Sequence, residues 1–286
     1  MDEAGAEGAS CTSSLSVAEL ALLREAGFRP LGMVMGTCVY SIGYQWSAGL
    51  SAFGGMGGLG FGQWSAPYYL EEFPCPHLYY HEGSRSGYNF EHYVYSEGFD
   101  EAANLALSRL RDEAAARGAH GVAGVRLEIA NRAASGEYLE LKLLGTALGL
   151  AGLAPPPVPF TSWLSGQELI KLLAAGYFPL SLVMVARIVE AVAGCETEQV
   201  AFAYQNVEVR QHTRASEATR ALVAKALEKA APAEADALVG VKLERKVHHL
   251  AGERILVEMT AVANAVRQLP ERPSVAIVPM MRLNDL

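Results

Sequence analysis

Of the 286 residues only four are cysteine (Cys11, Cys38, Cys75 and Cys195), and none belongs to a Cys-x-x-Cys pair. That spacing excludes a disulfide framework. Cationic residues are few as well: 23 Lys and Arg stand against 31 Asp and Glu, a formal charge of −8, and no basic cluster stands out. Nucleic acid is therefore not expected as a partner, because phosphate neutralisation needs concentrated Lys and Arg. The first residues, Met1-Asp2-Glu3-Ala4-Gly5, lack the basic and apolar regions of a signal peptide. The longest apolar stretch, Leu143 to Ala154, contains Gly and Thr, runs into prolines and is too short to span a bilayer. These absences lead to the expectation of a soluble cytoplasmic protein with no membrane partner. Catalytic signatures are missing too: no Ser-His-Asp constellation, P-loop or nucleophile elbow is present. Gly55, Gly57 and Gly60 form a literal Gly-x-Gly-x-x-Gly. No helical period follows it, as a dinucleotide site requires, so it reads as a glycine-rich loop.

What the chain does have is a long internal repeat. Thr12-Ser13-Ser14-Leu15-Ser16 returns as Thr161-Ser162-Trp163-Leu164-Ser165, and Ala26-Gly27-Phe28 returns as Ala175-Gly176-Tyr177. These pairs share one offset of 149 residues (Glu19 to Glu168). Gly124-Val125-Arg126-Leu127-Glu128 returns as Gly240-Val241-Lys242-Leu243-Glu244, offset by 116 residues. A repeat this long implies two copies of one domain, the first of them carrying 33 additional residues. A hydrophobic fraction of 51% supports two packed cores.

Each copy opens with a capping-box pattern, Ser16-Val17-Ala18-Glu19 and Ser165-Gly166-Gln167-Glu168, and its short helix ends at Gly27 or Gly176. Leu31–Met35 and Leu180–Met184 present apolar residues on both faces and read as covered strands. Asp100 and Ser216 read as N-caps of longer helices, the second broken by Pro232. Val125, Leu127 and Ile129, then Leu139, Leu141 and Leu143, alternate with polar residues as strands do; Val241 and Leu243, then Ile255, Val257 and Met259, repeat that period. Turns are expected at 133–136 and 250–252, and a short edge strand at Ser274–Val278. The expected fold class is α+β. The division is a first domain at 1–153 with an insert at about 41–90, a proline-rich linker at 154–160, a second domain at 161–270 and a tail at 271–286.

The segment Ala114-Ala115-Ala116-Arg117-Gly118-Ala119-His120-Gly121-Val122-Ala123-Gly124-Val125, with Leu144-Gly145-Thr146-Ala147-Leu148, resembles the YbjQ-like family, often labelled a heavy-metal-binding domain. Glu234–Val241 and Met259–Val262 carry the same likeness in the second copy. The resemblance implies two tandem dodecin-like domains with a β-α-β-β core, each preceded by a short capped helix and a strand, that assemble into rings. It supplies no ligand set.

The insert holds the candidate chemistry. Cys75, His77, His81 and His92 group one thiolate with three imidazoles, donors that suit a zinc or copper ion. The alternative is a loop whose side chains bond locally, since Cys-x-His-x₃-His is no standard finger spacing and the second copy lacks it. Aromatic residues crowd the same insert, among them Tyr40, Tyr44, Trp46, Phe53, Trp64, Tyr69, Tyr79 and Tyr88. They either pack on their own domain or contact a protein partner. His248-His249 reads as an exposed turn pair, and Arg126, Glu128, Lys242 and Glu244 as a solvated strand face. The strands hold more apolar surface than one helix per domain covers, which predicts a homo-oligomer. The functional expectation is a non-enzymatic oligomeric binding or scaffold protein of the heavy-metal-binding type. The alternative is an enzyme with a small-molecule pocket at subunit interfaces.

Overall fold

The computed structural model describes residues 12–42, 68–72, 88–131, 138–192, 208, 210–250 and 254–270. The glycine-rich run, Cys75, His77, His81, most of the aromatic insert, the turn at 133–136, residues 251–252 of the second turn and the Ser274–Val278 segment lie outside these residues. Among the described residues the order is α1 (Val17–Glu25), β1 (Phe28–Ser41), β2 (Tyr68–Glu72), β3 (Tyr88–Glu91), α2 (Tyr93–Ala116), β4 (Gly121–Asn131) and β5 (Tyr138–Leu150). There follow β6 (Phe160–Thr161), α3 (Gly166–Ala174), β7 (Tyr177–Val192), α4 (Arg210–Ala230), β8 (Ala237–Leu250) and β9 (Arg254–Gln268). The strands form two sheets, β1-β5-β4-β6 and β2-β3-β7-β9-β8.

The local geometry of the two halves matches in detail. Both capping boxes form, with Ser16 and Ser165 bonded to Glu19 and Glu168. The antiparallel β1–β5 ladder is irregular between Pro30 and Gly32, and β7–β9 between Pro179 and Ser181. The β4–β5 ladder shifts after Ala123, and β8–β9 after Val239. At that shift Gly124 (φ 63°) and Gly240 (φ 62°) adopt the left-handed conformation that glycine takes without a Cβ clash.

The halves are nonetheless interleaved. Strand β3, from the first half, extends the second sheet by pairing with β7, and β6, from the start of the second half, pairs with β4. Helix α2 lies between the sheets. One core cluster joins Phe99, Ala103, Ala106 and Leu110 of α2 to Val34, Leu139, Leu141 and Leu143 of the first sheet and Leu182, Met184 and Ala186 of the second. The alternate residues of β7, Val183, Val185 and Val189, point the other way into a cluster with Val223, Ala226 and Leu227 of α4. The layers therefore run sheet, α2, sheet, α4. Strand β7 is covered on both faces, as its composition predicts. Strand β1 is not: Met35 and Val39 are 45% and 66% exposed, because α2 covers only the opposite face.

Two helix starts differ from expectation. Helix α2 begins at Tyr93, and the Asp100 carboxylate accepts from the Arg187 guanidinium at 2.9 and 3.0 Å instead of capping a backbone N–H. Helix α4 begins at Arg210, and Ser216 Oγ donates to the His212 carbonyl one turn back, a helix-interior habit of serine.

Helices α1 and α3 meet at one end of the molecule over a third cluster containing Leu23, Phe28, Leu148, Phe160 and Leu169. Glu19 joins them: Oε2 accepts from Ser16 N at 2.7 Å, and Oε1 accepts from Gly166 N, in the first turn of α3, at 3.2 Å. The hydroxyl bond from Ser16 is the main cause holding this carboxyl below its ordinary value; partial burial opposes it, and the Ser16 and Gly166 amides and Arg126 add to it. A depressed folded-state value means stability present above the ordinary carboxylate range and lost as pH falls through the folded-state value. Glu19→Ala is expected to cost about 1 kcal/mol near neutral pH, as a lost cap does. It should also flatten the acid limb of the stability–pH profile. Urea melts from neutral to acid pH check both effects, and an unchanged acid limb would remove Glu19 from this role.

Candidate functional site

Beyond the edge of α2 the two sheets enclose a cleft of about 640 Å³. One wall is β4 from Gly124 to Ile129; the other is β8, through Lys242, Glu244 and Lys246, with Thr260 and Val262 of β9 behind it. Trp163 and the helix caps Glu19, Ser165 and Glu168 close one end. Both faces of β4 contribute to the lining: Val125, Leu127 and Ile129 pack on the α2 core, and Arg126 and Glu128 stand on the opposite face of the strand at its open edge. In β8, Lys242 and Glu244 stand on the α2 side of the second sheet, opposite Val262 and Thr260.

The charges read in the sequence as a solvated face are thus gathered on two neighbouring strands. Ion pairs within the cleft walls are exposed: Lys142–Glu128 at 3.2 Å and Lys246–Glu244 at 3.6 Å. Each contributes at most about 1 kcal/mol. Both strands also end their sheets. Past Val125, whose N–H donates to Ser162 O, no described strand pairs with the outer side of β4, and none pairs with the outer side of β8. Strand β8 is exposed from Gly240 to His249, with Val241, Leu243 and Val247 at 55%, 45% and 36%.

A second polar group lies on the α2 side of β7 and β9, where buried Glu190 and Glu258 are diagonal neighbours across the ladder. His92 Nε2 is 3.0 Å from Glu190, His248 Nε2 is 3.2 Å from Glu258, and the Tyr95 hydroxyl donates to Glu258 at 3.3 Å. Arg187 sits 3.7 Å from Glu91 as well as bonding Asp100. Buried carboxylates need such partners. Glu190 and Glu258 each stand among apolar neighbours, Ile188-Val189 and Ala191 in β7 and Val257 and Met259 in β9, and a carboxylate in such a run is the signal that could have disclosed the group.

Of the four metal-ligand candidates only His92 is described. It lies at the N-terminal boundary of α2 with its Nε2 on Glu190. Among the described residues no group of three or more His, Cys, Asp and Glu side chains could hold a metal ion. His248 and His249 lie within β8, not in a turn. His212, beside them on α4, has its titration pushed down by burial and, secondarily, by His249.

No family model matches the chain, and no solved structure matches it. One curated relative does. It is an encapsulin nanocompartment protein of Mycobacterium tuberculosis (strain H37Rv), 32% identical over 180 residues, which are 61% of this chain and 55% of the relative. The chain thus spans about half of that relative's length. This similarity corrects the resemblance drawn from the sequence. The YbjQ-like assignment and its heavy-metal-binding label do not stand: the relative bears a nanocompartment name, and no family model matches. Short alanine- and glycine-rich strings around a helix end and a bulge carried that likeness, and the geometry at Gly118 and Gly124 accounts for those residues without any metal. No helix of the described residues is long and apolar enough to cross a membrane.

Proposed function

We propose that this chain is a non-enzymatic, self-associating structural component of a protein nanocompartment, built from two copies of one β-α-β-β unit. The similarity to an encapsulin nanocompartment protein carries the reading. The matched caps and ladder irregularities support the duplication. The two strand edges that no described strand pairs with, one with three exposed aliphatic side chains, support association. The cleft fits the same role. Its polar lining is lysine, arginine, glutamate and hydroxyl groups of strand faces and helix caps, and Glu19 and Glu168 are engaged as caps.

Purified protein at micromolar concentration is expected to sediment well above the 30.6 kDa of one chain and to show regular particles by negative-stain electron microscopy. A stable monomer across that range would end the structural reading.

A further inference from the structure

We propose that the outer edge of β8 in one copy pairs antiparallel with the outer edge of β4 in a second copy, joining the second sheet of one to the first sheet of the other. This rests on the self-association proposed above and specifies its contact. The register follows from the residues. With Leu243 opposite Leu127, Lys242 faces Glu128, Glu244 faces Arg126 and Val241 faces Ile129. Two opposite-charge pairs and two aliphatic pairs result, each of the kind that stabilises neighbouring strands.

The competing alignments are poorer. Moving the register by two residues sets Glu128 against Glu244 and Arg126 against Lys246. A parallel arrangement of the matching segments sets Arg126 beside Lys242 and Glu128 beside Glu244. Pairing β8 with itself through Leu243 matches Lys242 with Glu244 but sets Val241 against Arg245. Lysines on an edge strand ordinarily discourage pairing. Here they exclude every strand except one that presents carboxylates at the matching positions.

The faces agree as well. Leu127 and Ile129 lie on the α2 side of the first sheet, and Leu243 and Val247 lie on the α4 side of the second, opposite Ala261 and Val257. In the joined sheet both helix layers fall on one face, with these aliphatic side chains forming the strip between them. The charged pairs fall on the other face. Glu128 and Glu244 already meet Lys142 and Lys246, but those pairs are exposed and leave both carboxylates accessible. Because β8 engages an unlike strand, the contact is heterologous: each copy keeps a free β4 for the next, and assembly continues as a ring or an open array.

Charge reversal tests the pairing in the full-length chain. Lys242→Glu alone and Glu128→Lys alone each replace an attractive pair with a repulsive one, and each should weaken assembly by about tenfold or more in concentration midpoint. The double variant K242E/E128K restores opposite charges between copies and should return the midpoint to within about threefold of the parent. Thermal melts by circular dichroism confirm that each variant is folded. If the parent assembles and E128K changes nothing, or if the double variant is no better than the singles, the β8–β4 pairing is wrong while self-association stands. A monomeric parent defeats both.

Discussion

Replacing Gly36 with valine is expected to abolish folding at ordinary temperature, and even Gly36→Ala should lower stability by about 3 kcal/mol. Gly36 sits in β1 opposite Leu143, where α2 crosses the first sheet. A Cβ built there would collide with the carbonyl oxygen of Ala106 and stand 2.7 Å from Leu110 N and 2.9 Å from Leu110 Cβ. Two of those atoms belong to helix backbone, so no rotamer change relieves the clash and α2 must move as a body. Movement would disturb Ala103, Ala106, Leu110 and Ala114, all buried on that face. The neighbouring Thr37→Ala is the control: Thr37 is exposed on the other face of β1 and should change stability by no more than about 0.5 kcal/mol. The comparison is made by urea denaturation. A Gly36→Ala protein as stable as the Thr37→Ala protein would show that the helix does not lie against the strand in this way.

That contact illustrates what was legible in the sequence and what was not. The caps were legible because Ser16 and Ser165 act on residues three positions away, and Pro232 marks the end of α4 for equally local reasons. Alternation gave the β4, β5, β8 and β9 strands because their side chains answer to one sheet. Asp100 and Ser216 misled because aspartate and serine bond as readily to a guanidinium or to a carbonyl one turn back as to a helix start. Only tertiary position decides between these. The close approach at Gly36 left no mark in the sequence, since a small residue in a strand has many causes. Exchange of β3 and β6 between the sheets was illegible for the same reason: strands of two to four residues carry too little pattern to name a partner. The cleft followed from that stacking. Arg126, Glu128, Lys242 and Glu244 look like any solvated strand face until two sheets are set on either side of α2.

The same stacking changes what unfolding should look like. Two tandem domains joined by a proline-rich spacer would melt as two events. Here α2 shares one core with both sheets, and Phe99, fully buried, belongs to the cluster that holds Leu141 of the first and Met184 of the second. Strands β3 and β6 tie each sheet to the other half through backbone bonds. One cooperative transition is therefore expected for the chain, coincident by tryptophan fluorescence and by far-ultraviolet circular dichroism. Phe99→Ala removes a large buried ring and should cost about 3–5 kcal/mol. It should move that single transition as a whole, since neither sheet keeps its inner face covered when α2 loosens. Two resolved transitions in the parent, with Phe99→Ala shifting only one, would mean that the second sheet draws its stability from α4 alone and that α2 serves the first.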